Sequence, residues 1–224
     1  NPFFDEQDSR RSVWVRGERR LTGALVAGLY GGLDRVSFAG SRDRVSRVGV
    51  DGVFDARLDP FLARNAVYAR AAWERVSVDG RAIGRREADV RGHLGLVGQT
   101  ILVVRGLRED ASETLPPYLR PVLGGTRNLR GFQAGSDAND TLMAGSLELL
   151  VPRNSPLSVG RVGVSAFFDV GAVYPVGEKV WNQKFERAVG GSVWLAITVV
   201  RLSLAVAHGL GGDNRVHFTA GVSF

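Results

Sequence analysis

Val216-His217-Phe218-Thr219-Ala220-Gly221-Val222-Ser223-Phe224 alternates without a slip: the even positions are apolar and the odd positions between them are polar or small. Side chains of a strand point to opposite faces with a period of two, so this stretch reads as a strand with one apolar face and one face toward a tight or wet interior. Just upstream, Val200, Leu202, Leu204 and Val206 alternate with Arg201, Ser203, Ala205 and Ala207, after a turn expected near Thr198 and Val199. The two runs form a hairpin over Gly209-Leu210-Gly211-Gly212-Asp213-Asn214, a connection rich in turn-forming residues.

The same rhythm runs back through the chain. Val193, Leu195 and Ile197 alternate with Ser192, Trp194 and Ala196, and Val162, Val164, Ala166, Phe168 and Val170 with Arg161, Gly163, Ser165, Phe167 and Asp169. Leu147, Leu149 and Val151 alternate with Ser146, Glu148 and Leu150. Further strands are expected over 12–20, 24–32, 45–58, 66–78, 85–95 and 99–108, for a total of about eleven. The clearest of these sets Tyr68, Arg70 and Glu74 against Val67, Ala69, Ala71 and Trp73. No helical period interrupts them, so the chain is all-β and antiparallel.

Alternation alone does not say which face is wet, because a soluble barrel or sandwich with its apolar residues inside produces the same pattern. Two features favour a transmembrane barrel. Many of the 29 glycines fall within strands, where they permit curvature and close packing. Charged residues such as Glu148, Arg161, Asp169 and Arg201 sit on the polar face of otherwise apolar segments.

Bulk properties agree. The 224 residues are 44% hydrophobic, yet no run is long enough for a transmembrane helix. A mean hydropathy of -0.02 is what strands of alternating polarity produce. Zero cysteines exclude a disulfide scaffold and thiolate metal sites, and His93, His208 and His217 lack ligand spacing, so no metal or other cofactor is expected. The net charge of +6 comes mostly from arginines spread along the chain, which argues against nucleic acid and for a polar lumen.

One stretch breaks the rhythm. From Asp110 to Asp140 the chain carries Pro116, Pro117 and Pro121 and then Gly124-Gly125-Thr126-Arg127-Asn128-Leu129-Arg130-Gly131-Phe132. A connection that long in a compact domain is commonly functional.

This loop resembles the signature of the BamA/TamA-like bacterial surface-antigen family. There a Gly-Gly pair precedes a Val/Leu-Arg-Gly-Phe/Tyr motif at the tip of a long extracellular loop folded back into the barrel. Here the motif is Leu129-Arg130-Gly131-Phe132. Three further pieces agree in order: Gly145 to Pro152 as the strand after the loop, Phe167-Phe168-Asp169-Val170-Gly171 as the aromatic-x-Asp-x-Gly motif, and Phe224, with Val222 and Phe218, as the C-terminal sorting signal. The resemblance covers residues 110–224 best, and implies that residues 1–224 form one outer-membrane barrel domain including the inward-folded loop 110–140.

The family barrel has about sixteen strands, and the eleven or so readable here are an odd number, which a closed antiparallel barrel does not use. The chain is therefore expected to be part of a longer one with unpaired strand edges; a reduced barrel that closes on itself is the alternative.

The resemblance also names partners for Arg130. A guanidinium packed inside a barrel needs compensation, since burial costs several kcal/mol, and Asp169 and Glu148 resemble the family's partners for it. Read without that context, each carboxylate is simply a hydrated lumen residue. Gly131 would let the loop tip approach the wall or adopt an unusual backbone, and Phe132 would wedge against it. No Gly-x-Ser-x-Gly motif or tuned carboxylate pair points to an enzyme.

The function implied is insertion or translocation of proteins at the outer membrane of a Gram-negative-type bacterium. Expected partners are outer-membrane lipid and lipopolysaccharide, unfolded outer-membrane client proteins, and periplasmic domains or accessory subunits. The alternatives are a passive pore or two-partner-type secretion channel, and the membrane anchor of an N-terminally fused lipase.

Overall fold

The computed structural model describes residues 8–59, 62–154, 160–197, 200–212 and 214–222. The expected turn at Thr198 and Val199, the terminal Phe224 and the side chain of Val222 fall outside them.

Among the described residues, eleven long strands make one antiparallel sheet. They are β1 (Ser9–Arg20), β2 (Leu25–Phe38), β3 (Ser41–Asp55), β4 (Ala66–Val78), β5 (Arg81–Gly95), β6 (Ile101–Ala111), β9 (Thr141–Asn154), β10 (Arg161–Tyr174), β11 (Glu186–Ile197), β12 (Val200–Gly209) and β13 (Asn214–Val222). Two short pieces inside the long loop, β7 (Val122–Leu123) and β8 (Asp137–Ala138), pair with each other. Each long strand pairs with its neighbour in sequence, and β6 pairs with β9 across the loop. Tight turns support this meander: Ala39-Gly40 and Asp79-Gly80 adopt positive φ at both residues (48° and 81°, 47° and 90°), the hairpin geometry that matches strand twist.

The apolar half of each alternation faces outward. Leu33 on β2, Val48 on β3, Leu94 on β5, Leu147 on β9, Val193 on β11, Leu204 on β12 and Phe218 on β13 are all exposed, and Leu204 lies directly opposite Phe218. An exposed apolar band that crosses every strand is the signature of a surface solvated by lipid. It also excludes a soluble barrel, whose apolar residues would be inside.

The inward face is polar and paired. Asp34 receives Arg10 and Arg47, Asp51 receives Arg16 and Arg70, and Asp89 receives Arg91 and Arg105. These six of the dispersed arginines line the inside, each set beside a carboxylate that offsets its desolvation, while others such as Arg35, Arg44 and Arg75 are exposed.

Inward apolar residues gather where the long loop covers them. Val36, Val45, Val76 and Ile83, from β2 to β5, form a buried cluster with Leu115, Tyr118 and Leu119 of the loop. The Tyr118 hydroxyl donates to Asp43 at 2.5 Å, and burial together with that bond raises its pKa, so the phenol stays a donor. At the loop's base, the buried Asp140 accepts from the Leu115 amide at 2.8 Å and lies 3.6 Å from Arg120.

β1 pairs only with β2 and β13 only with β12 among the described residues, so the sheet is open.

Candidate functional site

The Gly124-Gly125 pair makes the loop tip possible. Both glycines have positive φ, 99° and 78°, and a Cβ on Gly124 would lie 1.9 Å from the Gln133 carbonyl oxygen. This bend lets Gly125 donate to the Phe132 carbonyl at 2.9 Å and Gly124 donate to Asn128 Oδ1 at 2.8 Å. Residues 126–131 are thereby presented as a compact tip.

Arg130 then meets the wall. Its Nε and Nη2 donate to the two oxygens of Asp169 on β10, both at 2.8 Å, and its backbone amide donates to the same carboxylate at 3.1 Å. Nη1 donates to Glu148 on β9 at 2.7 Å, and Nη2 also reaches Ser146 Oγ at 3.1 Å. The guanidinium carbon lies 3.4 Å from the centre of the Phe167 ring. Burial disfavours the Arg130 charge, but the bonds to Asp169 and the field of Glu148 outweigh it and raise its pKa above the ordinary value.

The carboxylates are themselves held. Ser146 donates to Asp169 at 2.7 Å, Ser165 donates to Glu148 at 2.7 Å, and Ser165 and Ser192 lie 2.8 Å apart. His217 on β13 contacts the Arg130 carbonyl oxygen at 2.5 Å; a carbonyl only accepts, so Nε2 carries the proton. The tip therefore spans β9, β10 and β13.

Gly131 and Phe132 complete the seat. A Cβ at Gly131 would lie 2.6 Å from both Ala188 Cβ on β11 and the Gly209 amide on β12. Close approach to the wall, not an unusual φ, is what requires glycine there. Leu129 is fully buried among Leu107, Leu123, Leu142, Ala144 and Ala188, with Phe132 packed against this cluster. Phe218, expected from the sequence to belong to the C-terminal sorting signal, lies outside the site, exposed on the outer face.

Sequence reasoning did not find Arg127, Ser146, Ser165 or His217. Arg127 lies 3.1 Å from Glu109 on β6 and 3.4 Å from Glu87 on β5, and the Arg105 guanidinium donates to its carbonyl. It extends a rail of alternating charge that runs Arg16, Asp51, Arg70, Glu87, Arg127, Glu109. Its signal in the sequence was a second arginine three residues before Arg130.

The Omp85 superfamily domain matches residues 46–224, most of the chain. The chain belongs to the Omp85 superfamily. Among solved structures, BamA from Haemophilus ducreyi lacking POTRA domains 1-3 superposes with a TM-score of 0.76 at 12% identity, covering 96% of this Omp85 chain and 55% of that one. CdiB from Acinetobacter baumannii superposes with a TM-score of 0.68 at 14% identity, covering 97% of this chain and 42% of its own. These likenesses show the fold, and this chain spans about half the length of the proteins it resembles. No curated protein matches it in sequence.

Proposed function

We propose that this chain is the C-terminal part of an Omp85 barrel that inserts or translocates other proteins at the outer membrane of a Gram-negative-type bacterium. The observation that carries this reading is the seating of the Leu129-Arg130-Gly131-Phe132 tip against the inner wall, with Arg130 bonded at once to Asp169 and Glu148. The sheet supplies a second element, since β13 pairs only with β12 among the described residues, and such an edge can receive an extended client by strand addition, which requires no catalytic residue. The clients are unfolded outer-membrane proteins, and lipid and lipopolysaccharide surround the outer band.

The test is insertion of an unfolded outer-membrane client by the full-length protein in liposomes. Arg130→Ala should slow insertion at least tenfold while the circular dichroism of the strands stays unchanged. A fully active Arg130→Ala variant would remove the loop tip from the mechanism. Steady ion conductance without client insertion would favour the secretion-channel reading instead.

A further inference from the structure

Beside the loop tip, a cavity of about 200 Å³ opens against the inward faces of β5, β6 and β9. Six of its lining residues are arginines, while its two lining carboxylates, Glu148 and Asp169, are both engaged by Arg130. The opposite wall has more cationic groups than anions to match them. Arg91 and Arg105 both fork onto the single carboxylate of Asp89, with Nε and Nη2 of each within 3.2 Å of it. Arg91 Nη1 makes no hydrogen bond among the described residues. His93, also lining the cavity, is 6% exposed, and its Nδ1 is buried without a partner among the described residues.

We propose that this cavity binds a small phosphate-bearing anion, held from the wall by Arg91, Arg105 and His93 and from the loop by Arg127. Two guanidinium groups sharing one carboxylate retain a positive charge and unspent N–H donors, and their planar forks match the oxygens of a phosphate. The buried Nδ1 of His93, with no partner among the described residues, supplies a further donor in the tautomer that carries its proton there. Because Arg127 belongs to the loop and the other groups to β5 and β6, a bound phosphate would tie the tip to the wall on the side opposite Asp169. The site is independent of whether the barrel inserts or secretes proteins.

The experiment is calorimetric titration of the full chain, folded in detergent micelles, with inorganic phosphate at constant chloride. Glycerol phosphate in a parallel titration stands for a lipid head group. One saturable site is expected. Arg91→Gln, which leaves Asp89 paired with Arg105, should weaken it at least tenfold, whereas Arg44→Gln, remote from the cavity, should not. His93→Gln should weaken it several-fold and serves if Arg91→Gln does not fold. Equal affinity for both probes identifies a site open to head groups; binding of inorganic phosphate alone identifies a closed one for the free ion. Absence of saturable binding for both probes, or equal loss in Arg44→Gln, would overturn the proposal.

Discussion

Gly131 occupies a point where the loop and the wall leave room for hydrogen and nothing larger. The atoms a methyl group would meet include the Gly209 amide, which belongs to a paired strand and has little freedom to move. Gly131→Ala should therefore lift the tip and cost about 1–3 kcal/mol, the range for overpacking. Gly52→Ala, where a Cβ meets nothing within 4 Å, should be near neutral when both variants are compared by urea titration. The two loop arginines divide by burial. The Arg130 side chain is 16% exposed and its partner Asp169 2%, so Arg130→Ala leaves a buried carboxylate uncompensated and should cost about 3–5 kcal/mol. The Arg127 side chain is 62% exposed, so Arg127→Ala should cost less than about 1 kcal/mol. Equal losses would mean that the pairing with Asp169 does not dominate the seat. Arg130, Glu148 and Asp169 were legible because motif order singles them out by residue type. Ser146, Ser165 and His217 were not, because a serine or histidine on the inward face reads the same whether it orients a carboxylate or merely meets water.

At the scale of the strand, the period of two carried the reading, and it failed where a second layer covers the inner face. β5 begins at Arg81 and not at Arg85 as the sequence suggested. Ile83 faces inward but is fully buried under the loop, beside Val76 and Leu115. The inward positions of β2 to β5 near that end are apolar while outward neighbours such as Arg35, Arg44, Ser46 and Arg75 are polar, so the alternation inverts there and the strands read as noisy. The outward face makes the opposite prediction. Leu204 is half-exposed on β12 opposite Phe218, so Leu204→Arg places a charge on the lipid face. It should cost about 2–4 kcal/mol near the bilayer midplane. Ser203→Arg, on the inward side of the same strand, should cost less. The comparison is made by reversible unfolding in lipid vesicles, and equal costs would contradict the lipid-facing assignment.

For the whole molecule, strand direction decides what the sheet can do at its edges. Every neighbouring pair is antiparallel and the sheet has eleven strands, so the first and last run the same way. Direct pairing of β1 with β13 would be parallel, whereas barrels of this class close with an even number of antiparallel strands. The odd count was readable from the sequence; that the edges stay apart follows from the pairings, which end at β1 and β13. A row of backbone donors and acceptors is therefore left on each edge, ready for another strand. Hydrogen exchange on the 224-residue chain in micelles should find the edge-facing amides of β1 exchanging at least a thousandfold faster than those of β9, which pairs with β6 and β10 on its two sides. Adding an extended peptide able to pair with β1 should slow exchange at those amides and leave β9 unchanged. If the β1 edge is already as protected as β9 without it, the sheet closes on itself, and the reading of this chain as part of a longer barrel fails.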